Sequence, residues 1–147
     1  MALIKGFKAL LEQANAQIET VDLVTARGLL DNENIVFVDI RDVRELERDG
    51  MLPGAFHAPR GMMEFWVDPE SPYHKPLFAE DKKFIFYCAS AWRSALTTKT
   101  VRDMGLTNVA HLQGGFKLWE QAGNPVVSRE ENKRLAGKRY GDQDKKN

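Results

Sequence analysis

The sequence predicts an α/β domain built on a mainly parallel sheet, and three observations predict it. Two apolar runs without alternation, Ile35-Val-Phe-Val-Asp-Ile40 and Phe84-Ile-Phe-Tyr87, read as strands buried on both faces. Segments with helical spacing of apolar residues alternate with the strands, as crossover connections between parallel strands require. Glycine and proline close those helical segments, at Gly105 and at Gly123 with Pro125 two residues on.

In chain order, Leu3, Phe7, Leu10, Leu11 and Ala14 recur at helical spacing while Lys5, Lys8 and Glu12 interrupt any long apolar run. Residues 1–16 therefore read as an amphipathic helix that packs on the domain or a partner subunit, with docking to a membrane surface as the alternative. A transmembrane span is excluded and a secretory segment disfavoured. Gln17 to Val21 reads as a short strand. Asp22 is an N-cap candidate for a helix with Leu23, Ala26 and Leu30 on one face. After the polar Asp31-Asn-Glu-Asn34 loop comes the buried 35–40 strand. A short charged helix, about Val43 to Arg48, leads to Gly50-Met-Leu-Pro-Gly54, where Pro53-Gly54 fits the centre of a type II turn. Ala55 to His57 is a short strand beyond it.

Residues 66–82 are too rich in proline for a regular element and read as an ordered loop. The strand Lys83–Tyr87 follows, then a helix from about Ser94 to Met104 with Thr97, Thr100, Val101 and Met104 on one face. Val109 to Leu112 is the last strand. Gly114-Gly115 opens a helix carrying Phe116 and Trp119, with the glycine pair read as close packing against the sheet. The domain spans 17–128, and 129–147 reads as a charged tail with one or two helical turns before it frays.

Composition narrows the function classes. The chain has 147 residues, enough for one domain with a real core. Lys+Arg and Asp+Glu are 21 each, which gives no single-sign field for nucleic acid. The one cysteine excludes an internal disulfide and the usual metal–thiolate spacings. A reduced, cytoplasmic setting is the default.

That cysteine, Cys88, stands where the 83–87 strand ends, and Arg93 follows after four residues in Cys88-Ala-Ser-Ala-Trp-Arg93. Backbone N–H groups at a helix start have no partner within the helix, and the dipole there favours an anion. A thiol so placed is expected to ionise more readily than a free one. Such a cysteine is a candidate nucleophile. By position alone, a buried inert thiol is nearly as good a reading. His57, His74 and His111 are far from Cys88 in sequence, so a Cys–His hydrolase stays open but unsupported. Asp39, Arg41 and Cys88 all fall at carboxyl ends of strands, where reactive groups of such sheets gather.

Phe37-Val-Asp-Ile-Arg41, Gly50-Met-Leu-Pro-Gly-Ala55, Cys88-x4-Arg93-Ser94 and Leu112-Gln-Gly-Gly115 with Trp119 and Gly123-Asn-Pro125 occur together in register. In these motifs, over about residues 18–128, the chain resembles the single-domain rhodaneses, a family of sulfurtransferases. The resemblance implies a rhodanese-like five-stranded parallel sheet with helices on both faces. It implies a reaction in which Cys88 takes the outer sulfur of a small anionic donor such as thiosulfate. The resulting persulfide then passes that sulfur to cyanide, a thiol or a protein cysteine, and this implied reaction needs neither a metal nor an organic cofactor. The backbone of Ala89, Ser90, Ala91, Trp92 and Arg93 would cradle the anionic sulfur, and Arg93 would hold the loop and add positive potential. Related phosphatases carry five residues between Cys and Arg; the four here make a tighter cradle suited to one sulfur atom.

Two departures from the family's pattern stand out. Ala91 occupies a position that is commonly glycine; if the loop needs φ > 0 there, alanine costs on the order of 1 kcal/mol. Met51 stands where histidine is frequent. Trp92 either walls the pocket mouth or packs under the loop. Asp39 and Arg41 are expected to pair and brace the rim of the site. Arg60 is a candidate for donor binding, with a solvated surface arginine as its plain alternative. Trp66, Tyr73 and His74 lie in a loop of the kind that flanks pockets. The alternative to an enzyme is a non-catalytic rhodanese-like module that binds a protein partner, although such modules usually lack the cysteine.

Overall fold

A computed structural model describes residues 1–141 and 143. Five strands, β1 (Glu19–Val21), β2 (Ile35–Asp39), β3 (Phe56–His57), β4 (Lys83–Tyr87) and β5 (Val109–Leu112), form one sheet in the order β1-β5-β4-β2-β3. Every pairing is parallel. Seven α-helices are present among the described residues: α1 (Phe7–Gln17), α2 (Leu23–Gly28), α3 (Val43–Asp49), α4 (Met63–Val67), α5 (Trp92–Asp103), α6 (Gly115–Gln121) and α7 (Arg129–Tyr140). This is the expected five-stranded parallel α/β architecture.

The sheet is buried on both faces, and strand alternation sorts its side chains. Ile35, Phe37, Ile85, Tyr87, Ala110 and Leu112 face a core that includes Ala26 of α2, Leu46 of α3, and Phe116 and Trp119 of α6. Val36, Val38, Phe84, Phe86 and Val109 face the other core, with Met63 of α4 and Val101 of α5. The helix after β2 and the helix after β4 thus leave the central strands on opposite faces. The crevice between the carboxyl ends of β2 and β4 is the topological switch point, where ligands bind in open α/β sheets.

Local chemistry explains the helix starts. The Asp22 carboxylate accepts from Thr25 N at 2.8 Å and caps α2. Asp42 and Glu45 form a reciprocal capping box on α3. In the 50–54 turn Gly54 adopts φ 80°, as a type II turn requires.

Four differences from the sequence reading stand out. The N-terminal helix begins at Phe7, because Gly6 is extended at φ −84°, ψ 178°, so Leu3 and Ile4 precede it. A 3-10 turn, Arg60–Met62, runs into α4, so Trp66 and Val67 end a helix and do not begin a loop. No polar side chain caps this helix, so the usual start signal was missing. Within the proline-rich stretch, Pro76–Ala79 forms a 3-10 turn with Leu77 and Phe78 buried.

The fourth difference is the charged segment after Val127, which forms three helical turns where one or two were expected. Ser128 caps α7 by accepting from Glu131 N at 3.1 Å. The helix is docked: the buried Asn132 bonds Gly54 N and Ala55 O, and Arg139 donates to the carbonyls of Leu30, Asn32 and Ile35. Tyr140 packs edge-on against Phe56 at 5.7 Å between ring centres.

Candidate active site

Cys88 follows the last residue of β4 and is 1% exposed. Its parity with Phe84 and Phe86 turns it to the α5 face of the sheet. The chain then reverses through Ala89, Ser90 and Ala91, and α5 starts at Trp92, two residues earlier than its sequence pattern indicates. Ala91 makes this reversal at φ 69°, ψ 4°, and among the described residues no other non-glycine has positive φ. The strain anticipated for alanine at this position is therefore present.

The loop is held from outside by its carbonyls. Phe116 N donates to Cys88 O at 2.8 Å and Lys117 N to Ala89 O at 3.0 Å, so the first turn of α6 is capped by the loop backbone. In a planar trans peptide the C=O and the following N–H point in opposite directions. The N–H groups of Ala89 and Ser90 are therefore turned away from α6. Among the described residues, the N–H groups of Ala89, Ser90, Ala91, Trp92 and Arg93 have no acceptor. Five consecutive unbonded amides at a helix start make an anion-binding nest. The next amide, Ser94 N–H, donates to Cys88 Sγ at 3.4 Å.

Gly115 makes this arrangement possible. A Cβ there would lie 2.7 Å from Cys88 O and 2.8 Å from Ala89 C, and its φ is 70°. Gly115 is thus a close-packing device, and what it packs against is the cysteine loop, whereas a Cβ at Gly114 would meet Leu118.

Arg93 reaches outward to Glu45. Its Nη1 and Nη2 each bond one carboxylate oxygen at 2.9 Å. This pair spans the switch point, joining the start of α5 to the start of α3. The guanidinium lowers the pKa of Glu45, which in turn raises that of Arg93, with a further contribution from Cys88. Asp39 and Arg41 are buried together; Arg41 Nη2 bonds Asp39 Oδ2 at 2.7 Å and Gly50 O at 2.7 Å. The Arg41 guanidinium lies 4.3 Å from the centre of the Phe116 ring, so this pair links β2, the 50–54 turn and α6.

Other expected site residues fall elsewhere. Arg60 is engaged by Glu64 at 2.8 Å, and among the described residues no hydrogen bond or ion pair joins it to the cysteine loop. Trp92 does not pack under the loop: it is 58% exposed and meets Phe7 of α1, with ring centres 5.1 Å apart. His57 bonds Arg41 O and His74 bonds Trp66 O. No histidine bonds Cys88 directly. His111 comes nearest, through Ser94: the Cys88 thiol donates to Ser94 Oγ at 3.6 Å, and Ser94 Oγ lies 3.1 Å from His111 Nδ1. Burial pushes the His111 pKa down to about 4.

Glu45 escapes the sequence reading, Ser94 has no role of its own in it, and His111 stands there only as one of three histidines open to Cys88. Glu45 carried a signal, since Asp42-x-x-Glu45 is a capping-box spacing that fixes its carboxylate at the start of α3. His111 carried one in register: it pairs with Thr20 in β1 and Phe86 in β4, which sets it on the cysteine's face. Among the described residues no three His, Cys, Asp or Glu side chains gather as a metal site would need. No helix among them is long and apolar enough to cross a membrane.

Known proteins share this chain's sequence and shape. An Allochromatium vinosum sulfurtransferase is 29% identical over 105 residues, which cover 71% of this chain and 90% of that protein. A Rhodopseudomonas palustris protein of unknown function, described as a possible tyrosine phosphatase, is 53% identical. It superposes with TM-score 0.83 over 86% of this chain and 98% of its own. The polysulfide-sulfur transferase homodimer of Wolinella succinogenes is 30% identical, with TM-score 0.62 over 84% of this chain and 88% of its own. Residues 22–122 match the rhodanese-like domain, and the chain belongs to that family.

Proposed function

We propose that this protein is a sulfurtransferase that carries a sulfane sulfur as a persulfide on Cys88. The observation that carries the reading is the run of five amides, residues 89–93, that have no acceptor among the described residues and follow directly on a buried thiol. In the first step the Cys88 thiolate attacks the outer sulfur of a donor such as thiosulfate. The donor's S–S bond breaks, and sulfite departs with the electron pair. In the second step a nucleophile such as cyanide or a thiolate attacks the outer persulfide sulfur, and the electron pair of that bond returns to Cys88. The charge on the terminal sulfur falls where the amides of Ala89, Ser90, Ala91 and Trp92 offer donors, and fixed donors of this kind stabilise developing charge. Arg93, held by Glu45, supplies positive potential toward the anionic donor. The exposed Trp92 and Phe7 side chains form an apolar rim that suits an organic thiol or a protein cysteine as acceptor. A lone free thiol suits a reducing compartment such as the cytoplasm.

A phosphatase is the second reading, because one relative is described as a possible tyrosine phosphatase and another, from Arabidopsis thaliana, as a dual-specificity phosphatase. The four-residue spacing between Cys88 and Arg93 disfavours it, since a tetrahedral phosphate needs a wider loop than a single sulfur. Steady-state kinetics separate the two. Thiocyanate formation from thiosulfate and cyanide is expected with the parallel-line pattern of a covalent intermediate, and Cys88→Ser is expected to be inactive. Hydrolysis of an aryl phosphate without any sulfur transfer would reverse the assignment.

A further inference from the structure

Cys88 is 1% exposed, so its thiol has little direct contact with water. The sheet register lays out another path. His111 pairs with Phe86 on one side and with Thr20 on the other, so Cys88, His111 and Thr20 share the face that α5 covers. From α5, Ser94 enters between the first two. The sequence of contacts runs from Cys88 Sγ to Ser94 Oγ at 3.6 Å, from Ser94 Oγ to His111 Nδ1 at 3.1 Å, and from His111 Nε2 to Thr20 Oγ1 at 3.1 Å. Cys88, Ser94 and His111 are buried, whereas Thr20 is an exposed residue of an edge strand.

We propose that Ser94, His111 and Thr20 form a proton wire that carries the Cys88 thiol proton to the exposed edge of β1 by tautomer exchange of a neutral His111. The idea rests on Cys88 acting as a nucleophile, since an inert thiol has no need to lose its proton. A hydroxyl can donate and accept together, and a neutral imidazole donates from one nitrogen and accepts at the other. With the thiol intact, the donors run outward: Cys88 S–H to Ser94 Oγ, Ser94 O–H to His111 Nδ1, His111 Nε2–H to Thr20 Oγ1.

On ionisation each bond shifts one place. The S–H bond breaks as an O–H forms on Ser94, and the former Ser94 proton moves to His111 Nδ1. The Nε2 proton moves to Thr20, and the former Thr20 proton leaves to a solvent water. One proton enters the wire, one leaves, and the imidazole carries no net charge before or after. The donors now run inward, so Ser94 O–H points at the anionic sulfur beside Ser94 N–H, which already does. Running the wire backward returns a proton to Cys88 after the sulfur has been handed on.

The surroundings suit a neutral carrier. Burial alone disfavours the His111 cation, and no charged side chain contributes to that effect. The charged groups nearest the cysteine loop are Arg93 of α5, its partner Glu45 of α3 and Arg41 after β2, and farther along α5 Lys99 pairs with Asp103; none of them bonds His111. Among the described residues the ring is hydrogen-bonded to Ser94 and Thr20 only.

The test needs no sulfur donor, so its failure is distinguishable from failure of the sulfurtransferase reading. In ¹⁵N-labelled protein, the ring-nitrogen signals of His111 are followed as pH rises through ionisation of Cys88, the latter read by thiolate absorbance. The expected result is that the proton-bearing nitrogen changes from Nε2 to Nδ1 in the same transition, and that Cys88→Ser abolishes the change. In parallel, alkylation by iodoacetamide at neutral pH is expected to slow about tenfold in His111→Phe and about threefold in Thr20→Val, with the pH–rate profile displaced upward. Thr20→Ser, which keeps the hydroxyl, is expected to retain the wild-type rate. Thr20 is exposed, so its variants keep the test valid even if His111→Phe misfolds. A tautomer that stays constant through the thiol transition overturns the proposal, and so does a Thr20→Val protein that alkylates at the wild-type rate.

Discussion

Arg93 and Glu45 are joined by two bonds of 2.9 Å each, so the residue that closes the cysteine loop is anchored on the helix that leaves the sheet on its other face. Glu45 also accepts from Asp42 N at 2.9 Å, which makes one carboxylate both a helix cap and a clamp across the switch point. Glu45→Gln keeps the capping box while removing the charge. The expected outcome is a fall of about tenfold in kcat/KM for sulfur transfer, because a misplaced loop costs rate far more than stability. The Arg93 side chain is 43% exposed, so unfolding measured by denaturant is expected to shift by less than about 1 kcal/mol. The Glu45 pKa is lowered in the folded state, so the pair's contribution is present above the ordinary carboxylate range and is lost as pH falls below that range through the lowered folded value.

Gly115 supports the loop by having no side chain. Gly115→Ala places a methyl 2.7 Å from Cys88 O, and neither that backbone nor the φ of 70° accommodates it. We expect a loss of several kcal/mol in denaturant unfolding and near-complete loss of persulfide formation, because the loop must move. A folded and active Gly115→Ala protein would show that the α6 contact does not define the loop.

Ala91 is strained in the opposite sense. Its left-handed backbone costs on the order of 1 kcal/mol more than glycine would, partly offset by the greater freedom of glycine in the unfolded chain. Ala91→Gly is expected to raise stability by about 0.5 kcal/mol, measured by thermal unfolding, and to leave the site intact. Destabilisation would mean that the methyl group packs in a way that offsets its strain.

Much of this was legible in the residues. Unbroken apolar runs marked β2 and β4, and the place where β4 stops located the nucleophile. Ala91 was legible as a strained position from the family's glycine. What escaped depends on contacts between distant segments. Helix α7 reads as a solvated tail because its anchors, Asn132 and Arg139, are polar residues that bond backbone carbonyls far off in sequence. Trp92 and Phe7 meet only because α1 folds back against α5. The link from His111 to Ser94 follows from strand register, which periodicity within one strand does not reveal.

His111 makes folding pH-dependent. Burial lowers its pKa from 6.5 to about 4. Between those values the unfolded chain binds a proton that the folded state resists, so stability falls as pH drops from 6.5 toward 4. The loss is on the order of 3 kcal/mol by the bottom of that window. In His111→Phe that part of the loss is expected to vanish, and the remainder comes from His57, which burial pushes the same way, and from carboxylates at lower pH. Denaturant unfolding at several pH values checks it, and parallel curves for the two proteins would refute it.

The persulfide at Cys88 is the central step, and intact-protein mass spectrometry after thiosulfate treatment tests it most directly. The predicted result is a gain of one sulfur atom, about 32 Da, localised to Cys88, removed by cyanide and absent in Cys88→Ser. An unchanged mass with thiosulfate, polysulfide and persulfide donors alike, in a protein whose Cys88 is reduced, would contradict it.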